Sequence, residues 1–141
     1  MAETVREIPG AVGQLEALLD LPEGTPRRAV VFAHPLPIKG GTMHTKVVFQ
    51  AAKALTRIGC VVLRFNFRGV GRSAGTWDNG RGEMDDYRAA VDFLSARYPD
   101  LELWAAGLEE GPRKEGHSGS AAKAIDIAKM VARGRVMVLL G

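Results

Sequence analysis

Short apolar runs alternate with longer amphipathic stretches through most of this chain, and few folds accommodate that alternation. Residues 29–33 (AVVFA), 60–67 (CVVLRFNF) and 101–106 (LELWAA) are brief and nearly continuous in apolar character. Runs of that kind are the pattern of strands covered on both faces. Between them, residues 43–58 place Val47, Val48, Ala51, Leu55 and Ile58 on one helical stripe, with Gly59 as a natural stop. Residues 83–98 do the same with Met84, Tyr87, Val91, Leu94 and Tyr98. Strands interleaved with such helices predict an α/β fold: a mostly parallel sheet with flanking helices.

The remaining segments are read from the same rules. Residues 11–21 alternate weakly and predict an N-terminal strand, ended by the turn-forming PEGTP of residues 22–26. Glu83, Asp85 and Asp86 crowd the first turn of the second helix, where the helix dipole favours negative charge. Beyond Gly107, residues 108–120 are polar, glycine-containing and aperiodic, which predicts a loop. Residues 121–132 predict a helix, with Ala124, Ile127, Ala128 and Val131 on one side, and 136–140 (VMVLL) a last strand. Ligands in such sheets gather at the carboxyl ends of the strands. The loops leaving those ends are 34–41, 68–82 and the segment from 107 onward.

Composition narrows the function classes. A chain of 141 residues is read as one domain, 1–141. Its net charge of +3 comes from scattered bases without interleaved aromatics, so no nucleic-acid partner is expected. No apolar run reaches the roughly 18–20 residues that cross a bilayer, and residues 1–10 contain no secretory apolar region. The expectation is a cytoplasmic protein with no membrane partner. Cys60 is the only cysteine, which rules out an internal disulfide and a cysteine metal cage. Gly69-x-Gly71 follows a strand but lacks the third glycine and the immediate helix of a dinucleotide site. Asp78, Glu83, Asp85 and Asp86 do not have the spacing of a calcium loop, and are read as helix-start acids. Neither a cofactor nor a metal is expected. Trp77 is assigned to loop packing.

The blocks His34-Pro35-Leu36-Pro37, Gly40-Gly41-Thr42-Met43 with Lys46-Val47-Val48, and Arg64-Phe65-Asn66-Phe67-Arg68-Gly69-Val70-Gly71-Arg72-Ser73 are specific in order and spacing. Together with Gly80, Gly82-Glu83 and Asp86, they resemble the small bacterial α/β-hydrolases of the serine esterase and dienelactone-hydrolase-like group. The likeness covers residues 29–107. It implies a small-molecule acyl substrate, such as a carboxylic ester, attacked by a serine on the turn after LELWAAG. It also implies an oxyanion-hole backbone N–H from the loop after the first central strand, assigned by position to Leu36. His34 in that loop is expected to shape the turn by hydrogen bonding rather than to act as a base. Family members commonly carry a second His where Leu36 stands.

The nucleophile motif departs from the family pattern G-x-S-x-G. The matching residues are Gly107-Leu108-Glu109-Glu110-Gly111, with Glu109 in place of the serine and read as a solvated loop carboxylate. Further along, Gly116-His117-Ser118-Gly119-Ser120 resembles an elbow, which makes Ser118 the candidate nucleophile. In the family the acid and the histidine follow the serine, whereas His34, His44 and His117 all precede Ser118. The resemblance therefore implies a hydrolase-type domain truncated after about six strands, family-like over 1–107 and with impaired activity. The alternative is a non-catalytic remnant or interaction module that retains half the sheet. A homo-oligomer is expected through the edge of the last strand.

Overall fold

The computed structural model describes residues 5–35, 40–109 and 134–140, with residues 108–109 and 134–140 described as backbone only. The elements in chain order are β1 (Glu7–Gly10), β2 (Gly13–Asp20), β3 (Arg28–Ala33), α1 (Lys46–Arg57), β4 (Cys60–Phe65), α2 (Glu83–Arg97), β5 (Glu102–Glu109) and β6 (Gly134–Leu140). The strands form one sheet in the order β1-β2-β4-β3-β5-β6. β4, β3, β5 and β6 are mutually parallel, while the β1–β2 hairpin joins antiparallel through β2 and β4. This is a mixed sheet, parallel at its centre, of the α/β class that the alternation of runs predicts.

The two faces of the sheet follow strand alternation. Ala29, Val31 and Ala33 of β3, with Val61, Leu63 and Phe65 of β4, pack toward Tyr87, Ala90, Val91 and Leu94 of α2. Val30, Phe32 and Val62 form the other layer with Val48, Ala52 and Leu55 of α1. The helices thus cover opposite faces, and the central strands are buried on both sides, as their unbroken apolar runs require. None of the described helices is long and apolar enough to cross a membrane.

Four local features differ from the sequence reading. The N-terminal strand is a hairpin, with Gly10 paired to Gly13 across a two-residue turn. Gly13 has φ +132°, and a Cβ there would stand 2.7 Å from Ala74, so glycine alone closes this turn. α1 begins at Lys46 rather than at Met43, because the Met43 backbone is drawn to Arg64 on β4 and to Asn66 just after it. Its buried stripe is Val48, Ala52 and Leu55, which leaves Val47 and Ile58 41% and 62% exposed. β5 continues past Ala106 to Glu109, because β6 supplies pairing for Gly107, Leu108 and Glu109.

Tyr87 ties α2 to the sheet. Its ring is fully buried, and its hydroxyl lies 2.5 Å from the Ala106 carbonyl oxygen and 3.2 Å from that of Val31. The single hydroxyl hydrogen is shared between the two strands of the β3–β5 pair, with the shorter contact to Ala106. Burial pushes the phenol well above its ordinary value of 10, and the hydrogen bond to Ala106 only partly opposes that. Tyr87→Phe is expected to cost about 0.5–1.5 kcal/mol by removing this buried hydrogen bond, read as a lower urea midpoint. A phenol whose folded pKa is raised stabilises fully below its unfolded pKa, and that contribution is lost as pH rises above it. The thermal midpoint of the parent should therefore fall above about pH 10, and less steeply in Tyr87→Phe.

Candidate active site at the exits of the central strands

β4 and β5 flank β3, so the first crossover turns to one side of β3 and the second to the other. The crevice at the carboxyl end of β3 is the switch point of the sheet, where ligands of such folds bind. Backbone and side chains at this end are held by buried hydrogen bonds.

His34 follows β3 and is 1% exposed. Its Nδ1 lies 2.6 Å from the Pro35 carbonyl oxygen, and the Phe67 N–H donates to its Nε2 at 3.1 Å. A carbonyl can only accept, so Nδ1 carries the hydrogen and Nε2 keeps the lone pair. Both nitrogens are occupied in holding the β3 exit to the β4 exit. The ring also meets Phe67 edge-on at 4.9 Å, and Phe67, Phe65 and Tyr87 continue as edge-on contacts. An aromatic column thus runs from the crevice into the core.

The β4 exit is fastened to β2 and to the turn before α1. Asn66 Oδ1 accepts from Met43 N–H at 2.8 Å, and its Nδ2 donates to Glu16 Oε1 at 2.8 Å. Ser73 Oγ donates to the Asn66 carbonyl at 2.7 Å and accepts from Glu16 N–H at 2.8 Å. Ser73 is therefore a structural hydroxyl. Arg64 forms a two-pronged ion pair with Asp20 at 2.7 and 3.2 Å, and donates to the Met43 carbonyl at 3.0 Å. Gly71 (φ +54°) completes the packing, since a Cβ there would lie 2.7 Å from Asn66 Nδ2. Gly69 (φ +76°) serves a different approach, since a Cβ there would lie 2.9–3.1 Å from the Thr76–Trp77 backbone.

The 68–82 loop is built around two carboxylates. Asp86 accepts from the Arg68 backbone N–H at 2.9 Å and from its guanidinium at 2.9–3.2 Å. Arg68 also donates to the Gly82 carbonyl at 2.6 Å. The hydrogen bond to Asp86 raises the Arg68 pKa further, so the guanidinium stays charged. Glu83 accepts from the N–H groups of Asp78 and Gly80 at 2.7 and 3.0 Å. Glu83, Asp85 and Asp86 stand in the first turn of α2 as the sequence predicts, but Glu83 and Asp86 are fully buried and only Asp85 is exposed. Trp77 packs partly buried against the core beneath this loop.

Leu36, His117 and Ser118 lie outside the described residues. Glu109 is described by backbone only and belongs to β5, opposite Leu140, so the segment 107–109 is strand rather than the expected turn. His44 is exposed and lines a groove of about 1000 Å³ along β2, together with Leu19, Arg72 and Phe93. Among the described residues, no group of three or more His, Cys, Asp or Glu is placed to hold a metal ion. Burial raises the pKa of the Cys60 thiol, the opposite of an activated nucleophile.

No family model matches the sequence. An uncharacterized protein of Rickettsia prowazekii (strain Madrid E) is 49% identical over 69 residues, which is 49% of this chain and 29% of that protein. Among solved structures, a protein of unknown function from Agrobacterium tumefaciens, considered an α/β hydrolase, superposes with a TM-score of 0.82 at 29% identity. The match covers 96% of this chain and 59% of that one, so the present chain spans little more than half of its length. A lidless α/β serine hydrolase from Xanthomonas campestris gives 0.74 at 28% identity, over 99% and 85% of the two chains. Fold, sheet order and sequence likeness together make this chain a member of the α/β-hydrolase superfamily.

Removing the buried partner of Arg68 should be costly. Asp86→Ala is expected to lose about 3–5 kcal/mol, because it leaves a guanidinium buried and uncompensated. Asp85→Ala, one position away but exposed, should change stability by less than about 0.5 kcal/mol. Urea unfolding of the two variants beside the parent checks the contrast.

Proposed function

We propose that this chain carries the acyl-hydrolase chemistry of its superfamily, acting on a carboxylic ester or similar small acyl compound through a serine nucleophile. The observation that supports this most is the pinned exit of β3. His34-Pro35 and Met43 are held to β4 by bonds that need no substrate to form. A loop fixed in this way suits stabilisation of charge that develops only in the transition state. Leu36 N–H is our candidate donor to that charge, and Ser118 our candidate nucleophile. In this reading Ser118 Oγ attacks the ester carbonyl, the alcohol leaves with a proton, and water then hydrolyses the acyl-serine.

We further propose that this polypeptide alone performs the reaction weakly. His34 has both nitrogens committed to backbone groups, and His44 is exposed along β2. A serine lacking its base retains only the residual rate from binding and the oxyanion hole. We place the protein in the cytoplasm, consistent with a lone, buried Cys60. A second reading, a non-catalytic module that associates through the outer edge of β6, draws on the terminal position of that seven-residue strand among the described strands.

Exposure to a fluorophosphonate probe, followed by intact-mass measurement and peptide mapping, separates the two. Slow labelling at Ser118, abolished by Ser118→Ala, is the expected result. No labelling beside a control esterase that labels cleanly would discard the hydrolase reading for this chain and favour the interaction module.

A further inference from the structure

We propose that Asn66, with its amide oriented by Glu16, is a positioning residue that sets where the Met43 backbone stands relative to His34-Pro35. This fixes the spacing between the two described ends of the segment leaving β3. What that spacing serves rests on the acyl-hydrolase reading above; the clamp itself does not.

Hydrogen-bond polarity carries the inference. Asn66 is 2% exposed and sits between an N–H on one side and a carboxylate on the other. Glu16 Oε1 accepts from Asn66 Nδ2 and also from the Arg72 N–H at 2.9 Å. An ionised carboxylate has no hydrogen to offer, so the amide cannot turn over. Nδ2 must face Glu16, and Oδ1 is thereby presented to Met43. The Met43 carbonyl is held in turn by Arg64. Both polar groups of one residue before α1 are thus claimed by side chains from the end of β4, while Phe67 holds His34. Three residues of the β4 exit therefore fix both described ends of the β3 exit.

The test inverts the polarity. Asn66→Asp keeps an acceptor for Met43 but sets two carboxylates face to face, where like charges repel. Amide exchange by mass spectrometry is read on the peptide containing Met43 and, as reference, on a peptide from α2. N66D should speed exchange of the Met43 peptide by about tenfold relative to the reference. Adding E16Q should restore most of the protection, because the glutamine can turn its NH2 toward the introduced carboxylate and the exposed Arg72 N–H can turn to water. E16Q alone should keep the parent exchange pattern, because its Oε1 still accepts both bonds. If N66D does not fold, Glu16→Ala gives the same readout: the orienting acceptor is lost, and the Met43 peptide should exchange several-fold faster.

No local change in N66D or Glu16→Ala, or a double variant no better than N66D, would overturn the clamp. Fluorophosphonate labelling then addresses its purpose. A labelling rate that falls in N66D and recovers in the double variant supports positioning. An unchanged rate beside raised exchange overturns it. Absence of labelling in the parent would remove the acyl-hydrolase reading, and with it the catalytic purpose, while the exchange data still decide the clamp.

Discussion

The shape of the loops around the crevice depends on carboxylates buried beneath backbone N–H groups. Asp86 binds both the backbone and the guanidinium of Arg68, and Glu83 collects two N–H groups from the 68–82 loop. Asp86 satisfies the buried N–H of Arg68 and Glu83 that of Gly80, and a buried donor without a partner costs free energy comparable to a lost hydrogen bond. Because both acids stand in the first turn of α2, the loop is referenced to the helix, and the helix to the sheet through Tyr87.

A second layer of order joins the strand exits to one another. Glu16 of β2, Asn66 and Ser73 after β4, and Met43 before α1 form one connected set of bonds. The antiparallel hairpin β1–β2 therefore does more than cover an edge of the parallel sheet, since it brings the Glu16 carboxylate to the mouth of the crevice. Gly13, against Ala74, and Gly71, against Glu16 and Asn66, allow these segments to approach closely enough for the bonds. The column from His34 through Phe67 and Phe65 to Tyr87 makes the crevice floor continuous with the core.

Much of this fold was legible in the residues. The apolar runs at 29–33, 60–67 and 101–106 each hold a strand because burial on both faces leaves little polar interruption, although β4 ends at Phe65 and β5 begins at Glu102. The α2 stripe was legible for the same reason, with Tyr87, Val91 and Leu94 buried as their spacing predicts. The α1 stripe was displaced, because Met43 is held outside the helix by partners more than twenty positions away. The end of β5 was not legible: Gly107 reads as a stop, yet pairing with β6 extends the strand to Glu109.

The residues carrying the family resemblance were visible as a pattern, but their work was not. Arg68, Gly71 and Ser73 read as loop residues and Glu83 and Asp86 as helix-start acids, and local pattern does not say what any of them touches. In the folded chain Glu83 and Asp86 are fully buried, and Ser73 bonds to a strand fifty-seven positions away. The sequence by itself determined the α/β class and the alternation of strand and helix from β3 to β5, because periodicity and turn chemistry are local properties. Only the tertiary structure decided which polar groups meet there. Hydrogen-bond partners are chosen by approach in space, and sequence separation carries no information about that approach.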